Sequence, residues 1–368
     1  MSDDVDLADA QLLRSTARDV FADLYPSAQL RADMATQTGW DHHAWKRLTG
    51  QLGVAGLMVD ESLGGTGLSA RELGIVFEEA GRCLGGAPMF AVAGLAIPLL
   101  LQSADRAACG RWLPGLCDGS VIATVMYCDA HGRWSPQGDI RAEGDRLFGR
   151  SGYVVDAAAA DVIFTSARTA SGLAIFALDR NTAGVEVTPL ITLDQTRKQA
   201  RVELVGAQGV RLNVAGSAEA VVNQAYAVSC ALLACELAGV AARCLDMTAD
   251  YARGRVQFGR PIGSFQAIKQ KLADLLIHVE SARSAATAAV AAAATDSRDL
   301  GWTASLAKAY CAEAAMRAAE ETIQIHGGIG FTWEHDAHLY FKRARTDQEL
   351  LGNAREHYDR VAEHLAQI

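Results

Sequence analysis

The chain lacks the short motifs that mark many enzymes. No GxGxxG follows a strand-like run and no GxxxxGK(S/T) occurs, which argues against dinucleotide-fold and P-loop phosphate sites. GxSxG and HExxH are also missing, so neither a nucleophile-elbow hydrolase nor a two-histidine zinc protease is indicated. An excess of positive charge is missing too: 34 Lys+Arg against 43 Asp+Glu give a formal net charge of −9. That balance argues against nucleic acid or an anionic membrane as the main partner. The apolar stretch from Ala91 to Leu101 reaches about half the length needed to span a bilayer. The opening MSDDVDLADAQ is acidic, unlike a signal peptide. The eight cysteines form no CxxC pair and no ligand spacing, so they read as reduced, mostly buried thiols, with no metal site. The expectation is a soluble, cytoplasmic protein.

What the chain does contain is 368 residues that are 50% hydrophobic, enough for a large core and two or three domains. Residues 1–118 read as helical. Asp41 is placed to cap a helix carrying Trp45, and Ser69 with Glu72 three residues on forms a capping-box pattern. The glycine loop ESLGGTG, 61–67, lies between them and follows no strand, so it reads as a plain loop. Residues 119–216 change texture. Short β-branched runs at about 121–127, 146–148, 153–155, 162–165, 174–178, 185–187 and 200–204 predict a small β-barrel or sandwich. Residues 217–368 return to helical period in four long segments, about 219–253, 265–294, 298–326 and 335–366, which predict a four-helix bundle. The second ends in SARSAATAAVAAAAT, whose small side chains suit close helix packing. The fold class is therefore α+β, in the order helical domain, β domain, helical domain.

Two stretches in the last third carry the chemistry. In YARGRVQFGRPIGSFQ, 251–266, Arg253, Arg255 and Arg260 cluster at a helix end among glycines and a proline. One reading is simple complementarity between cations and a helix C-terminus. The other is an anion site, in which arginine forks match phosphate oxygens and the glycines admit a ligand to the backbone. In QIHGGIGF, 324–331, Gly327 and Gly328 read either as a helix stop or as bare backbone for a cofactor. His326 beside them is a candidate ligand or base, or a satisfied structural histidine.

These two stretches together, at this separation and in this α–β–α order, resemble the acyl-CoA dehydrogenase family over essentially the whole chain. The segment KRARTDQELLGN has the family's place and helical character. The resemblance implies a tetrameric flavoprotein that binds FAD and oxidises the Cα–Cβ bond of an acyl-CoA thioester, with an electron-transfer flavoprotein as acceptor. It assigns FAD pyrophosphate to Arg255 with Gln257 beside it, ring packing to Phe258, and the following helix start to Phe265 and Gln266. It assigns contacts across a subunit interface to Gln324, Gly327 and Gly328.

The sequence also departs from the family. The position of the usual glutamate base holds Leu351, before Gly352, and the alternative position holds Ser229. The Thr-Glu-Pro and Gly-Ser-Asp elements that hold the flavin ring are replaced in TVMYCDAHGRWSPQGDI, where Tyr127 and Cys128 remain, and the later Trp-or-Tyr, Ile-Thr pattern survives only as Tyr153, Val154 and Val155. Glu236, the one ionisable group in SCALLACELAGVAA, is a candidate displaced base, or else a buried carboxylate paired with an arginine. Asp347 and Glu349 lie near Leu351. Three arrangements stay open: the base-lacking subunit of an α2β2 heterotetramer acting on bulky acyl-CoAs such as steroid side-chain thioesters, a homotetramer with a displaced base, and an FAD-free scaffold. A flavin monooxygenase of the same fold, needing no α-proton base, is a further alternative.

Overall fold

The computed structural model describes residues 7–86 and 88–366. The chain forms two compact units. One comprises Met1–Leu30, Gly74–Gly85 and Ala231–Ile368; the other comprises Arg31–Leu73 and Gly86–Cys230.

The N-terminal region is helical, as the periodicity predicts: α1 (Leu7–Leu24), α2 (Ser27–Met34), α3 (His42–Gln51), α4 (Ala70–Cys83), α5 (Ile97–Ser103) and α6 (Arg106–Cys117). The caps are chemical. Asp41 accepts the Ala44 N–H at 2.9 Å. The Glu72 carboxylate reaches back to the Ser69 N–H at 2.8 Å, while the Ser69 hydroxyl accepts from Arg71 N–H at 3.2 Å. Asp105 caps α6 through Ala107 and Ala108, and its second oxygen holds the Asn213 N–H at 2.7 Å. Phe90–Ala96 is π-helical and fully buried, with the Ile97 N–H reaching Val92.

The β region is one eight-stranded mixed sheet: β1 (Ala123–Met126), β2 (Arg141–Glu143), β3 (Arg146–Val155), β4 (Val162–Thr169), β5 (Gly172–Asp179), β6 (Val185–Pro189), β7 (Gln199–Gln208) and β8 (Val210–Arg211). The order is β6-β7-β3-β2-β4-β5-β8, with β1 on β4. β4 pairs in parallel with β1 and β2, and every other pairing is antiparallel. The residues from Val162 to Ala167 are all buried because β4 is central, so this strand shows no apolar–polar alternation.

The C-terminal region contains α7 (Ala218–Gly254), a hairpin of β9 (Val256–Gln257) and β10 (Arg260–Pro261), then α8 (Gln266–Ala294), α9 (Leu300–His326), α10 (Ala337–Glu349) and α11 (Ala354–Leu365). The fourth expected helix is thus two. The chain breaks at 350–353, where Leu351 (φ 59°) and Gly352 (φ 99°) are left-handed. Asn353 and Glu356 then start α11 with a reciprocal capping box.

α4 and α7 cross at backbone contact distance. A Cβ on Gly81 would lie 2.1 Å from the Glu236 carbonyl oxygen, and one on Gly239 would lie 1.9 Å from that of Glu78. No other residue fits at either position. Alanines do the same work between α8 and α9: Ala282, Ala286 and Ala289 are buried, and the Cys311 thiol reaches the Ala282 carbonyl at 3.2 Å. Among the described residues α7 is the one helix long and apolar enough to cross a bilayer, and 94% of its apolar window is buried inside the protein. It is a core helix.

Candidate functional site

The site begins where α7 runs out. The Arg255 N–H makes a last helical bond to Tyr251 at 2.8 Å, and the Arg255 carbonyl accepts from Ile262 N–H at 2.8 Å across the hairpin. Between them Gln257 pairs with Arg260 and Val256 with Pro261. Phe258 (φ 52°) and Gly259 (φ 77°) form the two-residue turn, both left-handed, as a type I′ hairpin requires. Gly263 follows because a Cβ there would sit 2.9 Å from the Ala252 carbonyl oxygen.

This turn presents its side chains outward. Arg255, Gln257 and Arg260 are exposed, and Phe258 is 91% exposed at a backbone angle that non-glycine residues rarely adopt. Phe258 meets Phe265 edge-on at 6.1 Å, and the Arg260 guanidinium lies 4.1 Å from the Phe265 ring centre. Arg253 is taken by Asp250 at 2.8 Å. Arg255 and Arg260 form no ion pair among the described residues. The Gln257 amide turns back onto the Val256 carbonyl at 3.0 Å. Gln266 is exposed at the first position of α8.

The second stretch closes α9. Gly327 caps it at φ 64° and ψ −138°, which only glycine adopts readily. Gly330 is packed, since its Cβ would meet His326 Cβ at 3.0 Å and the Ile323 carbonyl oxygen at 3.1 Å. Gly328 differs. A Cβ there would meet nothing within 4 Å, and its φ is not left-handed. The chain's own packing therefore gives Gly328 no reason to be glycine. Gln324, one turn back, is exposed.

His326 joins the two stretches. Its ring stacks on Tyr251 at 4.2 Å, so the C-termini of α7 and α9 lie side by side, and Thr248 donates to Thr322 at 2.9 Å one turn deeper. His326 is buried, its Nδ1 pairs with the Thr322 carbonyl at 2.7 Å, and burial pushes its pKa down, the pattern of a satisfied structural histidine.

The structure places each residue weighed for a catalytic base. Leu351 is fully buried, and its carbonyl accepts from His357 Nε2 at 2.9 Å. Lys308, also buried, donates to the Gln348 and Gly352 carbonyls at 3.1 and 2.9 Å, so the 350–353 turn is clamped from two sides. Ser229 is buried and bonds back to the Ala225 carbonyl at 2.9 Å. Glu236 pairs with Arg343 at 2.6 Å, with both side chains 3% exposed. Glu349 is held by Arg345 at 2.7 Å, and the buried Asp347 lies 4.0 Å from Arg343.

In the β unit, Tyr127 is buried with its ring edge-on to Tyr226 at 5.3 Å, and its hydroxyl has no hydrogen-bond partner among the described residues. Burial pushes the Cys128 thiol up to about 12. The loop that follows, in place of the missing family elements, is organised by Asp129. Its carboxylate accepts from the His131 and Arg133 N–H groups at 2.8 and 2.9 Å and from the Arg133 guanidinium at 2.7 Å. Burial raises the Asp129 pKa, but these bonds outweigh it and the net direction is down. Sequence reasoning missed this turn. An aspartate shortly before the glycine at 132 was its only signal.

Family models describe the same chain from sequence. Residues 8–120 match the acyl-CoA dehydrogenase N-terminal domain and 218–366 match the acyl-CoA dehydrogenase C-terminal domain. The acyl-CoA dehydrogenase IpdE2 of Mycolicibacterium smegmatis is 34% identical over 353 residues, covering 95% of this chain and 97% of that protein. Among solved structures, the ChsE4-ChsE5 complex from Mycobacterium tuberculosis aligns at 30% identity with a TM-score of 0.90, covering 100% of both chains. A single-residue variant of the Tcur3481-Tcur3483 steroid ACAD aligns at 28% identity with a TM-score of 0.89, covering 98% of each chain.

Proposed function

The chain belongs to the acyl-CoA dehydrogenase family, and from that premise we propose that it is the base-lacking subunit of a two-plus-two complex with a homologous chain. The observation that carries this reading is Leu351. It stands at the family's base position, is fully buried, and has its carbonyl locked by His357. The nearby carboxylates at Glu236, Asp347 and Glu349 are all engaged with arginines. A leucine cannot remove the α-proton, so the partner subunit must supply the carboxylate for its own acyl-CoA.

FAD is the family's cofactor, and when bound it supplies the hydride acceptor for acyl-CoA desaturation. The residues present fit its diphosphate end. Arg255 and Arg260 offer exposed guanidiniums outside any ion pair among the described residues, a geometry that grips phosphate oxygens in pairs. Gly328 leaves the backbone open to contact, which fits a group that must lie against it. Gln324, Gln257 and Gln266 offer amide donors and acceptors around it, and Phe258 offers an exposed ring face. This chain thus holds and orients the cofactor's diphosphate while the partner performs proton removal. Similarity to a steroid ACAD supports a bulky acyl group, and similarity to the two-component ChsE4-ChsE5 complex supports a homologous partner. An electron-transfer flavoprotein is the acceptor that goes with the family.

Co-expression with a homologous acyl-CoA dehydrogenase chain tests the reading. The expected result is flavin absorbance in a complex of two plus two chains, and bleaching by a steroid-side-chain acyl-CoA under anaerobic conditions. A yellow complex of this chain alone that bleaches with acyl-CoA would overturn it.

A further inference from the structure

The helical unit contains a cavity of about 350 Å³ that none of the roles above uses. It opens beside Arg18, Arg82 and Arg243, with Tyr25, Leu30 and Tyr340 forming an apolar floor. Three guanidiniums thus stand against two wall carboxylates, Glu79 and Asp336. Those carboxylates are engaged. Glu79 has no exposed side-chain surface and takes Arg14 at 3.0 Å, Arg18 at 2.9 Å and Arg82 at 3.6 Å. Asp336 accepts from the Ser27 hydroxyl at 2.7 Å. Arg82 is further bound to Asp246 at 2.6 Å.

Arg243 is the exception. It is half-buried on α7 and forms no ion pair among the described residues; its guanidinium faces the Tyr340 hydroxyl, which itself donates to the Arg82 carbonyl at 2.5 Å. The Cys83 thiol lies on the same wall. Burial pushes it up, against the opposing pull of Arg243, Arg82 and Arg18. A half-buried guanidinium with most of its donors unused can take an oxyanion in a forked contact. A neighbouring cavity of about 500 Å³ shares Arg243 and Asp336 but adds Asp250 and Glu334 and neither Arg18 nor Arg82, so it is the more acidic of the two.

The geometry points to a second binding site in this cavity, for a small organic anion whose carboxylate or phosphate pairs with Arg243 and whose ring or short apolar body packs on Tyr25, Leu30 and Tyr340. It lies on the part of α7 between Glu236 and Tyr251, and its residues are separate from the cradle at Arg255 and Gly328.

The test is calorimetric titration of the full chain with phenyl phosphate, benzoate and neutral benzyl alcohol, in wild type and in Arg243→Gln, Ala22→Trp and Arg255→Gln variants. Ala22→Trp blocks the cavity rim without changing charge, since Ala22 is exposed there. The expected result is saturable binding of one or both anions and none of benzyl alcohol, weakened tenfold or more by Arg243→Gln and by Ala22→Trp and unchanged by Arg255→Gln. Stronger phenyl phosphate than benzoate binding identifies a phosphorylated ligand, and the reverse a carboxylate. Absence of saturable binding, or binding lost with Arg255→Gln and kept with Arg243→Gln, would overturn the site. Arg243→Lys separates folding from binding: retained fold with weakened affinity supports the forked contact, and full affinity contradicts it.

Discussion

His357 Nε2 lies 2.9 Å from the carbonyl oxygen of Leu351. Because a carbonyl only accepts, Nε2 carries a proton. Nδ1 is buried without a partner among the described residues, and burial together with Lys308 and Arg360 pushes the pKa to about 3. The left-handed, non-glycine turn at Leu351 is thus held by a buried histidine whose pKa lies well below the ordinary value.

The pH dependence follows. The folded pKa lies below the ordinary value of 6.5, so the unfolded chain binds the extra proton first. The contribution is fully present above about pH 6.5 and is lost as pH falls toward 3. Urea unfolding between pH 7 and 4 should show stability falling by up to about 1.4 kcal/mol per pH unit from this one group. His357→Gln should remove that part of the slope. An unchanged slope would show that His357 does not govern it.

Installing the missing carboxylate should fail. Leu351→Glu places an ionisable group at a fully buried position, at a cost of about 3 kcal/mol or more. The variant should melt several degrees lower and gain no acyl-CoA oxidation when purified alone. A stable variant that bleaches its own flavin would contradict the account of the 350–353 turn.

Breaking the Glu236–Arg343 pair should cost more than replacing it. Arg343→Ala strands the buried Glu236 carboxylate and should cost about 3–5 kcal/mol, whereas Glu236→Leu with Arg343→Met should lose clearly less, while staying below wild type because the buried Asp347 still loses its arginine. Denaturant titration of the three proteins decides it. Equal losses in the single and double variants would mean the pair is not the unit that matters.

Gly328 and Gly330 should respond oppositely to alanine. Gly330→Ala meets His326 and the Ile323 carbonyl and should cost about 1–3 kcal/mol of stability. Gly328→Ala meets nothing in the chain, so it should leave the melting curve within about 0.5 kcal/mol yet weaken flavin retention in the assembled complex. Unimpaired flavin binding in Gly328→Ala would remove this glycine from the cradle.

Arg255→Gln should lower flavin affinity of the complex about 10- to 100-fold, the worth of a charge-assisted contact. Its own stability should not change, because Arg255 is exposed and forms no ion pair among the described residues. Flavin absorbance after dialysis, set beside the melting curve, separates the two effects.

Local rules made much of this protein legible. The Asp41 cap, the helical periods, the β-branched runs and the stops at Gly254 and Gly327 each depend on neighbours within a few residues. The exposure of Arg255 and Phe258 was also within reach, since the glycines around them force a tight turn. The break at 350–353 was not legible. The helical period runs across it, and what bends the chain there is Lys308 and His357 reaching in from α9 and α11. The Asp129 turn was missed because a carboxylate that satisfies three donors is indistinguishable in sequence from one in solvent.

Composition and short-range geometry are enough to say which segments are helix or strand and where the glycine-rich turn after α7 falls, and the resemblance to the family adds that leucine and serine stand where it places a base. Packing alone assigns Glu236 to Arg343, makes His326 a stacking residue and leaves Gly328 free of its own chain. Each of those answers depends on groups tens to more than a hundred residues away, brought within about 3–4 Å or kept outside it by the way the helices cross.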